Sequence, residues 1–324
     1  MAQEKKLWPE PVPNWPEAKR SWKWGWPFHV YFFTVLYCLV IVRALVVLFT
    51  QGKAFLRSKN HRFVMNSLLL VFGTLRVVFF VWDPYASDPN HTETELVACI
   101  ITFGIATACL TSAFSFLLLI VVESTRFSLA PSRFQNPSFL AGVWVGNVLY
   151  VITSDLVVAH FHEAKVMILI CQIAFALWGF LIALGYIITA IRLWRNLRAS
   201  RETARFDRGL TTEGKKIERL VKLLCLASTC GTVLFSIFVY SALSDTGVYS
   251  NSDVVDIWPW LAVQTLVRAC EAFMCLLIFL IALRTTNNSS GTNNNKVDRL
   301  EIKCMQETRL TTTVSSSRSN FANE

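Results

Sequence analysis

No long apolar run between residues 29 and 283 is interrupted by a proline at its middle, and none shows an amphipathic period. The first absence leaves each run free to form one unbroken helix. The second excludes the surface helices of a soluble domain, which keep a polar face toward water. Histidine is scarce: His29, His61, His91, His160 and His162 all fall at run ends or in loops. A bilayer metal hydrolase needs several histidines and carboxylates converging inside the membrane. Only His160-x-His162 with Asp155 approaches that arrangement, and it reads as a solvated loop. No metal, no cofactor and no enzymatic activity is therefore expected. Lysine is missing from the last run, which excludes a retinal Schiff base. Of the nine cysteines, eight lie in the runs and Cys304 in the tail, so no disulfide can tie an outer loop to the third run. They read as small apolar residues.

Seven apolar stretches fill most of the chain: His29–Thr50, Phe63–Trp82, Leu96–Val122, Phe139–Val158, Val166–Ile191, Leu223–Leu243 and Trp258–Leu283. Each reaches about 20 residues, enough at ~1.5 Å per residue to cross a ~30 Å hydrocarbon layer. The expected fold is an all-α seven-transmembrane helix bundle over residues 29–284, with an extracellular Trp/Pro-rich segment at 1–28 and a disordered cytoplasmic tail at 285–324. Residues 1–28 lack the short apolar core of a cleavable signal peptide, so the first helix is expected to insert as an uncleaved anchor.

Charge orients the bundle. Loops 1, 3 and 5 and the tail carry 22 Lys and Arg residues; loops 2, 4 and 6 and the N-terminal segment carry 6. The positive-inside rule puts the N-terminus outside or in the lumen and the C-terminus in the cytoplasm. Loop 2 holds the sequon Asn90-His91-Thr92 on the side where glycosylation occurs. Asn287 and Asn288 also head sequons but fall in the tail. The net charge of +9 reflects cytoplasmic loops facing anionic lipid, so nucleic acid is not expected as a partner.

Loop 5 concentrates that charge. Arg192, Arg195, Arg198, Arg201, Arg205 and Arg208 recur every three or four residues and continue the fifth helix with one basic face. Gly209–Gly214 is expected to break it before Lys215–Lys222 enters the sixth helix. The basic face is a lipid-contacting stripe, a docking surface for a cytoplasmic protein, or both. Ser21–Phe28 (SWKWGWPF) reads as an aromatic collar in the headgroup layer, with a lid over a ligand pocket as the other reading.

Arg43, Arg76, Asp155, Arg268 and Glu271 lie within the runs. An ionisable group at mid-membrane costs at least ~2.5 kcal/mol unless it pairs or snorkels. Arg43 is near enough to the cytoplasmic end to snorkel, and Asp155 near enough to the outer end to be wet. Arg268 and Glu271 are three apart and share a face. Arg76, on the second helix, is placed to share Glu271 if the second and seventh helices are neighbours. The trio Arg76, Arg268 and Glu271 is then a structural lock, a ligand counter-ion, a proton site or a switch.

Asn60–Tyr85 (NHRFVMNSLLLVFGTLRVVFFVWDPY), Leu193–Arg198 (LWRNLR), Leu220–Ser244 and Trp260–Arg284 (WLAVQTLVRACEAFMCLLIFLIALR) occur in a familiar order. Together they resemble the seven-helix region of proline-rich transmembrane proteins 3 and 4 and, more distantly, orphan receptor-like membrane proteins. The Asp83-Pro84-Tyr85 exit and the Arg268…Glu271 pair carry most of the resemblance. It implies a fold more than an activity. In place of the family's long proline-rich extracellular region stands the short Trp/Pro segment, so nothing is carried over from that region. The expected function is that of an orphan multi-pass membrane protein, receptor-like or scaffolding, with no ligand identified. Helix three ends Glu123-Ser124-Thr125-Arg126 rather than in an acidic-Arg-Tyr triplet, and the last run lacks Asn-Pro-x-x-Tyr, which argues against ordinary G-protein coupling. A transporter or channel using Arg76, Arg268 and Glu271 is the alternative.

Overall fold

The computed structural model describes residues 12–55, 61–88, 92–124, 137–161, 165–203, 210–243 and 255–283. Apolar sequence in a membrane must satisfy every backbone N–H and C=O internally, and the helix does so within a single segment. The described residues accordingly form α1 (Trp15–Trp22), α2 (Gly25–Phe55), α3 (His61–Trp82), a 3₁₀ turn (Pro84–Ala86), α4 (Glu93–Ser124), α5 (Pro137–His160), α6 (Lys165–Thr203) and α7 (Leu210–Leu243). An eighth helix, α8, spans Ile257–Leu283. Seven of the eight, α2 to α8, are long and apolar enough to cross a membrane. The chain is a multi-pass membrane protein whose outer helix faces meet the lipid bilayer.

One compact unit runs through Ala282; of the second, Leu283–Glu324, only Leu283 is described. Consecutive helices from α2 to α7 pack side by side, and α4 also touches α6. Side-chain bonds close the ring: α8 meets α2 through Tyr37 and Glu271, α3 through Arg76, and α7 through Cys230 and Cys270. Helix α4 is the most enclosed span. Ala106, Ala108 and Ala113 keep its surface narrow, which lets neighbouring helices approach. Its hydroxyls are satisfied within the helix: Thr102, Thr107, Thr111 and Ser115 each donate to the carbonyl four residues earlier. A Cβ at Gly73 would come within 2.9 Å of Ile41, so the α2–α3 contact requires glycine there.

Two local expectations are corrected. Gly209 lies outside the described residues, and Gly214 does not break a helix but lies inside α7, which begins at Leu210. Glycine weakens a helix by ~1 kcal/mol relative to alanine, and α7 offsets this by burying Leu220, Val221 and Leu224 in the core. Helix α2 starts at Gly25 and takes in Trp26 and Pro27, with the proline in the first turn where it is tolerated. His29 lies one turn into this helix, near its end as expected. One face of α2 turns inward: His29, Phe33, Tyr37, Val40 and Ala44 are all buried. The opposite side, including Tyr31, Val35 and Phe49, is exposed and equally apolar, so the helix has no amphipathic period, as expected.

Two of the three tryptophans of Ser21–Phe28 turn inward, the arrangement of the lid reading. Trp22 and Trp26 are buried, and only Trp24, 76% exposed, faces outward. Trp22 stacks on Trp26 at 5.2 Å and on Trp260 of α8 at 5.9 Å. Trp15 meets Trp260 edge-on at 5.3 Å. The N-terminal aromatics fold over the bundle end as a cap.

Candidate functional site

The Trp-Asp-Pro-Tyr exit from α3 sets the roof of the site. Asp83 Oδ1 accepts from the Ser87 N–H at 2.9 Å and from its hydroxyl at 3.0 Å, which closes the turn. Pro84 starts the 3₁₀ turn, and Tyr85 follows with φ 64°. A tyrosine in that left-handed region is strained. It is held there by burial and by ring contacts with Phe79 at 5.2 Å and Trp260 at 5.1 Å. Burial keeps the phenol neutral, its pKa pushed up to about 12. Lys19 of α1 donates to the Ser87 carbonyl at 3.0 Å and straps the cap to this turn.

Beneath the roof, α2 contributes His29. Its Nε2 lies 3.1 Å from the Tyr85 hydroxyl and its Nδ1 2.9 Å from Thr265 Oγ1 on α8. Deeper in the bundle the charges meet. Arg76 Nη2 donates to Glu271 Oε1 at 2.6 Å, and Arg268 Nη1 to Glu271 Oε2 at 2.6 Å. Tyr37 donates to the same Oε2 at 2.8 Å. The three charged side chains are 0%, 1% and 2% exposed for Arg76, Arg268 and Glu271. Phe103 of α4 lies between the guanidiniums, 4.5 Å from Arg76 and 4.8 Å from Arg268. Arg76 also donates to Thr107 at 3.1 Å. Two cations share one carboxylate, so the cluster carries a net positive charge, spread over the ring of Phe103.

A cavity of about 170 Å³ adjoins the cluster. Tyr85 and Trp260 reach it from the roof, Val12 from the N-terminal cap, and Arg268 from α8. Arg268 thus belongs to both the cavity wall and the charge cluster. Its Nε is buried without a hydrogen-bond partner. Asp155 lines the cavity from α5, half-buried. Gly104 of α4 makes that placement possible: a Cβ there would strike Val151 and come within 3.2 Å of Asp155 Oδ2.

The structure brings Arg76, Arg268 and Glu271 together. It leaves Arg43 apart, half-buried against the ring of Phe279 at 5.9 Å. Arg192, Arg195 and Arg198 lie exposed on α6, remote in sequence from the cavity-lining residues of that helix. Arg201 is helical but its side chain is not described; Arg205, Arg208, Asn90, Asn287, Asn288 and Cys304 lie outside the described residues. Sequence reasoning missed His29, Tyr37 and Thr107. The available signal was that His29 and Tyr37 stand eight residues apart on α2, two turns along one face.

Over residues 1–305 the chain matches the proline-rich transmembrane protein 3 domain. No curated protein matches it significantly.

Proposed function

The chain belongs to the proline-rich transmembrane protein 3 family, and from that premise we propose a receptor-like role for it. A small ligand enters the cavity under the tryptophan cap and acts on the lock formed by Arg76, Arg268 and Glu271. The N-terminus is outside or lumenal and the C-terminus cytoplasmic, and Asn90 is glycosylated. The basic face from Arg192 to Arg208 contacts anionic lipid and recruits a cytoplasmic protein, the scaffolding part of the role.

One observation carries this reading: Arg268 both lines the cavity and binds Glu271. A ligand that engages Arg268 changes the charge balance at Glu271, and through it the attachment of α8 to α3 and α2. That is a differential contact able to shift two helix arrangements. Buried, mutually bound charges suit a switch better than a water-filled path, which weighs against the transporter alternative.

Proximity labelling from the C-terminus tests the role. The parent chain and Glu271→Gln, compared at equal membrane abundance, are expected to label different cytoplasmic partners. Identical sets would leave a scaffold and remove the receptor. Tracer flux through proteoliposomes, abolished by Glu271→Gln, would instead favour the transporter. Orientation is checked separately: a glycosidase-sensitive mass shift, lost in Asn90→Gln, places loop 2 in the lumen.

A further inference from the structure

Arg268 and Asp155 reach the wall of the same cavity from α8 and α5. Arg268 is 1% exposed, with Nη1 committed to Glu271 and Nε buried without a partner. The Asp155 carboxylate lies against Gly104, itself a lining residue, where α4 and α5 approach closely. Thr107, Gln172 and Gln264 add polar atoms to the wall, while Phe175 and Phe238 make it aromatic.

Charge selects the ligand. A simple anion satisfies Arg268 but is repelled by Asp155, and a simple amine meets the reverse conflict. A molecule with both charges fits both residues. Size narrows it further. The cavity, about 170 Å³, is little larger than an engineered ~150 Å³ apolar cavity that holds benzene. Aromatic walls call for an apolar body between the charges and the helices.

We propose that the cavity binds a small zwitterion of the α-amino-acid class, with its carboxylate at Arg268, its ammonium at Asp155 and an apolar side chain against Phe175 and Phe238. This deepens the receptor-like reading and rests on it. The ligand carboxylate adds the second negative charge that the cluster of two arginines and one glutamate lacks.

The test is the thermal unfolding midpoint of the full chain in detergent, since a ligand bound to the folded state raises it. The probes are leucine, isocaproate (leucine without its ammonium), isoamylamine (leucine without its carboxylate) and phosphoethanolamine, the headgroup of a zwitterionic lipid. Leucine is expected to raise the midpoint, and the two truncated analogues to need ~10- to ~100-fold more for the same shift, as for a lost charged hydrogen bond. Asp155→Asn should bring leucine down to the level of isocaproate. Equal potency of leucine and isocaproate on the parent would overturn the zwitterion and leave an anion site. A stronger effect of phosphoethanolamine would overturn the amino-acid class in favour of a lipid headgroup. If no probe shifts the midpoint, the ligand assignment falls, while the receptor reading is judged independently by the labelling difference.

Discussion

Glu271 and Glu218 each hold a cation, yet the two ion pairs do different work. Glu218 binds Lys222 one turn along α7 at 3.1 Å, with the lysine side chain 73% exposed. Glu271 binds two arginines at 2.6 Å from two different helices, all nearly inaccessible. The surface pair joins a helix to itself and competes with water and headgroups for every contact. The buried cluster joins α8 to α3, and through Tyr37 to α2, away from water. Distance alone does not separate these cases. Desolvation and the number of helices joined do.

The largest effect is expected where the buried cluster loses its anion. Glu271→Ala strands Arg76 and Arg268 in a dry interior and should cost about 3–5 kcal/mol. The readout is loss of monodisperse protein in detergent and retention inside the cell. Parent-like behaviour would erase the distinction between the two ion pairs. The next prediction sharpens it. Replacing all three charges together, Arg76→Met, Arg268→Met and Glu271→Leu, removes the desolvation penalty along with the attraction. Stability should return to the parent level or rise by about 1–4 kcal/mol, while any response to leucine disappears. A triple variant as unstable as Glu271→Ala would mean that the charges themselves, rather than their pairing, hold the bundle. Tyr37→Phe is milder: it deletes one hydrogen bond to a carboxylate and should cost about 1.5–3 kcal/mol, seen as a lowered thermal midpoint with trafficking retained.

These effects fall on residues that were unequally legible in the sequence. The spans were plain because lipid demands some 20 apolar residues whatever the tertiary structure. Arg268 and Glu271 stood out as charges where charge is expensive, and their spacing put them on one face. Arg76 could be joined to them only by supposing which helices are neighbours. Tyr37, His29 and Thr107 were hidden. A transmembrane helix packs similar residue types against lipid and against protein, so hydropathy does not mark the inner face. The same ambiguity concealed the N-terminal cap: tryptophan suits a headgroup layer as well as a stack of indoles, and only the position of Trp260 across the bundle decides. That Asp155 faces the cavity was hidden because sequence distance to a loop does not say which way a side chain turns. The room for it comes from Gly104 on another helix.

The smallest effect closes the comparison from its weak side. Lys222→Ala should lower stability by only about 0.3–0.5 kcal/mol, the range of exposed pairs four apart on a helix. That loss should fade as salt is raised, because a charge this exposed is screened over a Debye length of ~10 Å at 0.1 M. The deficit of Tyr37→Phe should hold constant over the same titration, since no ion reaches the Glu271 carboxylate. Thermal midpoints of both variants at low and high salt therefore form one measurement with opposite expected outcomes. A Lys222→Ala loss that matched Tyr37→Phe and persisted in salt would show that the end of α7 is as desolvated as the bundle centre. The contrast between surface and interior pairing would then have to be redrawn around lipid contact instead of burial.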